Sequence, residues 1–279
     1  MNISSPETEA KRARIHNQKE PVCVLDASTY VGFWILKGLL HRGYTVHAAI
    51  QNNGESEITR KIREMGRLEE RLVVFVADVL DYHSILEALK GCCGLFHAVD
   101  HSHNSEGYDV RLYIICSNLN LWYSPNLQLW YALAKTLSER AAWALAMDRM
   151  LNMVSINAAL ILGPGVTHQN PGSTISYLKG AAQMYEHGVL AYVDISFLVD
   201  AHISAFEDPS ASGRYFCFNK IVNKEEECIK LVESLKPLIS LPEGYNCEEV
   251  AVYPQRLRCK KLGRLFNGSL HAKQMMETN

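Results

Sequence analysis

The sequence predicts an α/β protein, a doubly wound parallel sheet followed by a smaller C-terminal lobe. Three observations carry this. Short apolar runs of strand length recur at 22–25, 44–50, 71–78 and 94–100. Segments with helical spacing of apolar residues fill the gaps between them. The first run passes directly into a helix through the stretch VCVLDASTYVGFW (22–34). Strand and helix in alternation mean parallel strands with helices on both faces.

The elements follow in order. VCVL (22–25) is a buried strand, and GFWILKGLLHRG (32–43) is a helix that Gly43 stops. YTVHAAI (44–50) is the second strand, and ESEITRKIREMGR (55–67) is a polar helix. RLVVFVAD (71–78) is the third strand, YHSILEALKG (82–91) a helix, GLFHAVD (94–100) the fourth strand and RLYIICSN (111–118) the fifth. Only the twelve-residue stretch 100–111 (DHSHNSEGYDVR), the end residue of each run included, joins the last two runs, and it carries no helical apolar stripe. A parallel crossover needs about a dozen residues at the least and normally a full helix. One crossover helix is therefore expected to be missing.

Ser124-Pro125 has the form of an N-cap with a first-turn proline. A long helix is expected over 127–150, then a strand through MVSINAALILGPG (153–165). The alternation loosens afterwards. A helix is expected in 171–188, a strand and helix in 190–208, a strand in 213–219 and an amphipathic helix in 224–239. The resulting division is a disordered lead-in over 1–20, a nucleotide-binding domain over 21–160 and a substrate lobe over 161–279.

Composition is that of an ordinary soluble domain, 48% hydrophobic and 21% charged over 279 residues. A net charge of −2 gives no pull toward nucleic acid or an anionic membrane. No apolar run is long enough to span a bilayer, and the N-terminus has no apolar signal core. The eight cysteines fit neither a zinc pattern nor a secreted disulfide framework. Reduced, buried thiols in a cytoplasmic protein are the expectation.

The strand-to-helix turn is the first candidate site. A glycine-containing turn of this kind holds a pyrophosphate through helix N-terminal amides, and its glycines let the backbone come close. The three positions spaced three apart are Asp26, Thr29 and Gly32. Gly32 suits helix–strand packing. Asp26 puts a carboxylate beside the expected phosphates, where like charges at about 4 Å cost roughly 1 kcal/mol in water and about 4 at intermediate dielectric. Thr29 carries a branched Cβ at the point of closest approach. The candidate cofactor-binding set in this loop is Ala27, Ser28, Thr29, Tyr30, Val31 and Gly32. The second strand ends in Gln51, Asn52 and Asn53, whose amides can hydrogen-bond either form of the cofactor ribose.

The second candidate is a tyrosine–lysine pair. Of thirteen tyrosines only Tyr131 has a lysine four residues on, Lys135, which puts both on one face of a helix. An ammonium beside a phenol favours the phenolate, which makes the phenol a usable proton donor to a carbonyl oxygen receiving hydride at carbon. Ser117, at the end of the fifth run, is placed to orient the same oxygen.

These stretches resemble a known family. VLDASTYVGFWILKGLLHRGYTVHAAI, DVLDYHSILEALKGC, LFHAVD, LWYALAKTLSERAAWALA, SINAALILGPG, YVDISFLVDAHISAFED and SGRYFCF are similar to the plant cinnamoyl-CoA reductase and dihydroflavonol reductase group of the extended short-chain dehydrogenase/reductases. The resemblance covers about 21–265 and is nearest the cinnamoyl-CoA reductase-like branch. It implies a Rossmann domain, NADPH (with NADH open), a small aromatic phenylpropanoid-type substrate, and a catalytic set of Ser117, Tyr131 and Lys135. Tyr131 and Lys135 would also hold the cofactor, and Asp78 and Val79 would flank the adenine. The chain departs from the family at Asp26 and Thr29, where glycines stand, and at Gln51, where an Arg reads the NADP phosphate. It also departs in LWYALAK, against the Asn-Trp-Tyr-Cys-Tyr-Gly-Lys of cinnamoyl-CoA reductases proper, and in a middle shorter by a few dozen residues.

Other features take ordinary readings. His97, His101 and His103 with Asp100 lack a standard zinc spacing and read as a solvated loop. QRLRCKKLGR (255–264) reads as a solvated helix face, and Trp34, Trp130 and Trp143 as core. Two function classes stand: a reductase of an aromatic carbonyl, and a non-catalytic Rossmann-fold protein acting as a binding or scaffold partner.

Overall fold

A computed structural model of the chain describes residues 19–51, 56–98, 130–166, 184–185, 187–235 and 257–266. The expected fifth strand, Ser117, and the Ser124-Pro125 cap lie outside the described residues, as does most of the expected helix in 171–188. The chain forms two compact units, 1–100 and 101–279.

The first unit is a four-stranded parallel sheet with helices between its strands. Its elements are β1 (Lys19–Leu25), α1 (Tyr30–His41), β2 (Tyr44–Ile50), α2 (Glu57–Leu68), β3 (Leu72–Val76), α3 (Tyr82–Leu89) and β4 (Gly94–His97). The strands lie in the order β3-β2-β1-β4, and every pairing is parallel. β1 is central, and Val22, Cys23 and Val24 are fully buried. That is why the run reads as continuously apolar rather than alternating. Each helix starts on a side-chain cap: Thr29 for α1, Ser56 for α2 and Asp81 for α3.

Register aligns the carboxyl ends of three strands. Leu25 of β1 pairs with Ala49 of β2 and His97 of β4. The ladders continue just past the strands, with Ala27 N–H donating to Ala49 O at 2.8 Å and Ala98 N–H to Leu25 O at 3.1 Å. Asp26, Gln51 and Ala98 are thereby gathered at one edge of the sheet, where open α/β sheets bind ligands.

The second unit contains α4 (Trp130–Asp148), β5 (Val154–Ala158), β6 (Leu160–Leu162), β7 (Ala191–Asp194), α5 (Ile195–Glu207), β8 (Gly213–Cys217), β9 (Lys220–Ile221), α6 (Glu225–Leu235) and α7 (Lys260–Leu265). The strand expected through 153–165 is two strands. β5 pairs parallel with β8, whereas β6 pairs parallel with β7, which pairs antiparallel with β9. The break falls at Ala159, whose N–H donates to Cys217 O at 3.0 Å. The core is built on α5, where Ile195, Phe197, Leu198, Ala201 and Ile203 are buried. The Phe197 ring meets that of Phe266, just past α7, at 4.9 Å.

The described cysteines are free thiols, with Cys23 and Cys217 buried and Cys93 exposed. Burial, with Cys92 nearby, pushes the Cys23 thiol up to about 12. Among the described residues no helix is long and apolar enough to cross a membrane, and no cluster of metal-ligating side chains occurs.

Candidate active site

The turn after β1 is held by its own side chains. Asp26 has φ of 61°, in the left-handed region that glycine normally fills and that Asp tolerates better than most residues. The Asp26 side chain is nearly buried at 3% exposed. Its Oδ1 accepts from the Ser28 hydroxyl at 2.6 Å, and its Oδ2 accepts from the Gln51 amide at 2.5 Å. Residues expected separately as loop and ribose reader are thus joined through one carboxylate.

Thr29 is used inside the loop. Its Oγ1 accepts from Gly32 N–H at 3.0 Å, which caps α1. The same hydroxyl lies 2.9 Å from the Asp26 carbonyl and 3.1 Å from the Ala98 carbonyl, so its hydrogen serves the turn and the end of β4. The branched side chain expected to hinder approach is therefore turned onto the loop's own backbone and helix end.

Gly32 is required by space. A Cβ there would stand 2.4 Å from the Asp26 carbonyl oxygen and 2.8 Å from Thr29 Oγ1. Tyr30 and Val31 form the first turn of α1 with it, and the Tyr30 ring stands edge-on to Trp34 with centroids 6.5 Å apart. Ala27 is fully buried. Asp78 and Val79 follow β3, the neighbour of β2. Asp78 is exposed, its Oδ1 accepting from Leu80 N–H at 2.9 Å, and Val79 is half-buried.

The residues fit a dinucleotide in three respects. The turn has the left-handed residue, with Gly32 packed against its backbone. A helix N-terminus follows it. The residue after β2 reaches the loop. The donor set is altered, because Ser28, Gln51 and the Gly32 amide already serve acceptors within the loop.

In the second unit Tyr131 and Lys135 both lie on α4, one turn apart, as expected. Lys135 is exposed. Ser117 lies outside the described residues. One turn beyond Lys135, Glu139 ties α4 to β8 through Arg214, with Nε to Oε1 at 2.7 Å. Burial works against ionisation of Glu139. Hydrogen bonds from Arg214, Ser155 and the Trp143 indole outweigh it and hold the carboxyl below the usual range. Spacing offered a signal for this anchor, since 131, 135 and 139 fall on one helix face. The same unit holds an apolar cavity of about 230 Å³ lined by Ala159, Leu190, Phe216, Phe218 and Leu257, with Asn157 as its polar group.

A parallel sheet of this order with a phosphate-type turn defines a Rossmann-type α/β protein. No protein-family profile matches the chain. Cinnamoyl-CoA reductase 1 of Arabidopsis thaliana is 30% identical over 264 residues, covering 79% of this chain and 76% of the relative. Cinnamoyl-CoA reductase 1 of Petunia hybrida is 29% identical over 287 residues, covering 86% of this chain and 85% of the relative. That alignment is longer than the chain itself, so the relative carries stretches with no counterpart here. The solved vestitone reductase of alfalfa (Medicago sativa) has the same fold, with a TM-score of 0.59 at 23% identity, covering 93% of this chain and 96% of that one. The chain belongs to the cinnamoyl-CoA reductase and dihydroflavonol reductase group of the extended short-chain dehydrogenase/reductases.

Proposed function

We propose that this protein is a nicotinamide-dinucleotide-dependent reductase acting on the carbonyl of a small aromatic, phenylpropanoid-type molecule. The observation that carries the reading is the turn itself, with its left-handed residue at Asp26, the packed glycine at Gly32 and a capped helix directly after β1. Residues 27–32 would hold the dinucleotide at the helix end, and Gln51, Asp78 and Val79 would flank its adenosine end. A nicotinamide dinucleotide held there would supply the hydride for the carbonyl carbon. Tyr131 gives a proton from its phenol to the carbonyl oxygen. Lys135, one turn away on α4, favours the phenolate and so makes that transfer easier. Ser117 orients the oxygen. The apolar cavity beside β6 and β8 suits an aromatic ring, with Asn157 as a hydrogen-bonding handle.

Incubating the chain with a 4-deuterated dinucleotide and a panel of aromatic aldehydes, thioesters and dihydroflavonols tests this. Deuterium in the alcohol or aldehyde product is expected, and Tyr131→Phe should lower turnover by about a hundredfold or more. Unchanged turnover in Tyr131→Phe contradicts the mechanism.

A second reading has one specific support. The Ser28 hydroxyl and the Gln51 amide are occupied by the Asp26 carboxylate, and the Gly32 N–H by the Thr29 hydroxyl. A loop permanently closed in this way would make the chain a non-catalytic binding partner.

A further inference from the structure

The carboxyl ends of β1 and β2 carry an inference that rests on the reading of the loop as a dinucleotide site. In sheets of this type the adenosine ribose is read at the end of β2, where an acid accepts from its hydroxyls and an Arg accommodates a 2′-phosphate. The residue directly after β2 is here Gln51, which is uncharged. The acid comes from the neighbouring strand. Asp26 follows β1, is turned by its φ of 61°, and meets the Gln51 amide at 2.5 Å. We propose that Asp26 is the residue that decides which dinucleotide is accepted, hydrogen-bonding the free hydroxyls of an adenosine ribose and rejecting a 2′-phosphate, so that the chain takes NADH in preference to NADPH.

Donor and acceptor chemistry supports this. A carboxylate has about four acceptor positions. Its donors include Ser28 at 2.6 Å and Gln51 at 2.5 Å. Ribose hydroxyls are donors, so they replace the Gln51 amide without leaving the nearly buried carboxylate short of partners. A 2′-phosphate brings acceptors only, with a charge of about −1.5 to −2 near neutral pH. Displacing Gln51 with it removes a donor from Asp26 and sets two anions side by side. Gln51 brings no positive charge to offset them.

Fluorescence titration of the full chain with NADH and, separately, NADPH tests the proposal. NADH is expected to bind at least about tenfold tighter. Asp26→Asn removes the charge and keeps a residue that tolerates positive φ. It should tighten NADPH by about tenfold and change NADH by less. Asp26→Gly, whose backbone also suits the turn, should behave alike and serves if the Asn variant does not fold. NADPH bound as tightly as NADH, or an unchanged ratio in both variants, overturns the proposal while leaving the reductase reading standing. Binding of neither dinucleotide overturns both.

Discussion

The Asp26 carboxylate accepts a hydrogen bond from the Gln51 side chain across the ends of β1 and β2, at 2.5 Å. Two residues that look like separate losses, a missing glycine and a missing arginine, are one arrangement. Asp26 turns the loop and supplies its charge, and Gln51 supplies the matching donor. Thr29 complements them by capping α1 and reaching the end of β4. The turn is thus bonded to itself through its own side chains.

Gly32 tolerates no side chain. In Gly32→Ala the new Cβ meets the Asp26 carbonyl, a backbone atom that cannot swing away. A loss of about 2–3 kcal/mol is expected in urea denaturation of the full chain. A loss under 0.5 kcal/mol would show that the turn is looser than described.

Thr29 is a structural cap before anything else. Thr29→Val keeps the shape and removes the acceptor of the Gly32 N–H, at a cost of about 1 kcal/mol. Thr29→Ser should stay within a few tenths of the parent. Thermal melts of the two variants against the parent separate these outcomes.

Most of the first unit is legible in the sequence. Strand β2 is read at 44–50 and found at Tyr44–Ile50, because its apolar run is bounded by Gly43 and by polar residues from Gln51 on. Helices α1, α2 and α3 carry side-chain caps, so their starts fall close to where periodicity puts them. The division of 153–165 into β5 and β6 is not legible. The segment stays apolar through the break, and it is split by partners far along the chain, with Cys217 taking the Ala159 N–H. The Asp26–Gln51 bond spans 25 positions, and no periodicity encodes such a side-chain contact. That Tyr131 and Lys135 stand one turn apart is legible because a four-residue spacing becomes a shared face as soon as a helix forms.

The Glu139–Arg214 pair fastens the helix that carries Tyr131 and Lys135. Glu139→Gln should lose roughly 1 kcal/mol at pH 7. Hydrogen bonding lowers the folded carboxyl's pKa from the ordinary 4.5. Its contribution is therefore full above that value and is lost as pH falls through the folded one. The gap between parent and variant, measured by denaturation from pH 7 down to pH 3, should narrow below about pH 4.5. A gap that stays constant contradicts the ion pair.

His202 on α5 gives stability an acid-side slope. Its Nδ1–H donates to Leu198 O at 2.7 Å. Burial lowers its pKa from 6.5, with the Leu198 carbonyl partly offsetting. The unfolded chain takes up a proton below that value before the folded one does. Stability should fall as pH drops from about 6.5, by at most about 1.4 kcal/mol per pH unit. His202→Gln should flatten this slope between pH 7 and pH 5 in chemical denaturation.

The central claim is that a turn bearing Asp26 and Thr29 still holds a nicotinamide dinucleotide. Calorimetric titration of the full chain with the reduced dinucleotide, in both forms, measures this most directly. Saturable binding with a Kd below about 1 mM for at least one form is the predicted result. Heats no larger than dilution for both forms up to several times that concentration would contradict the account.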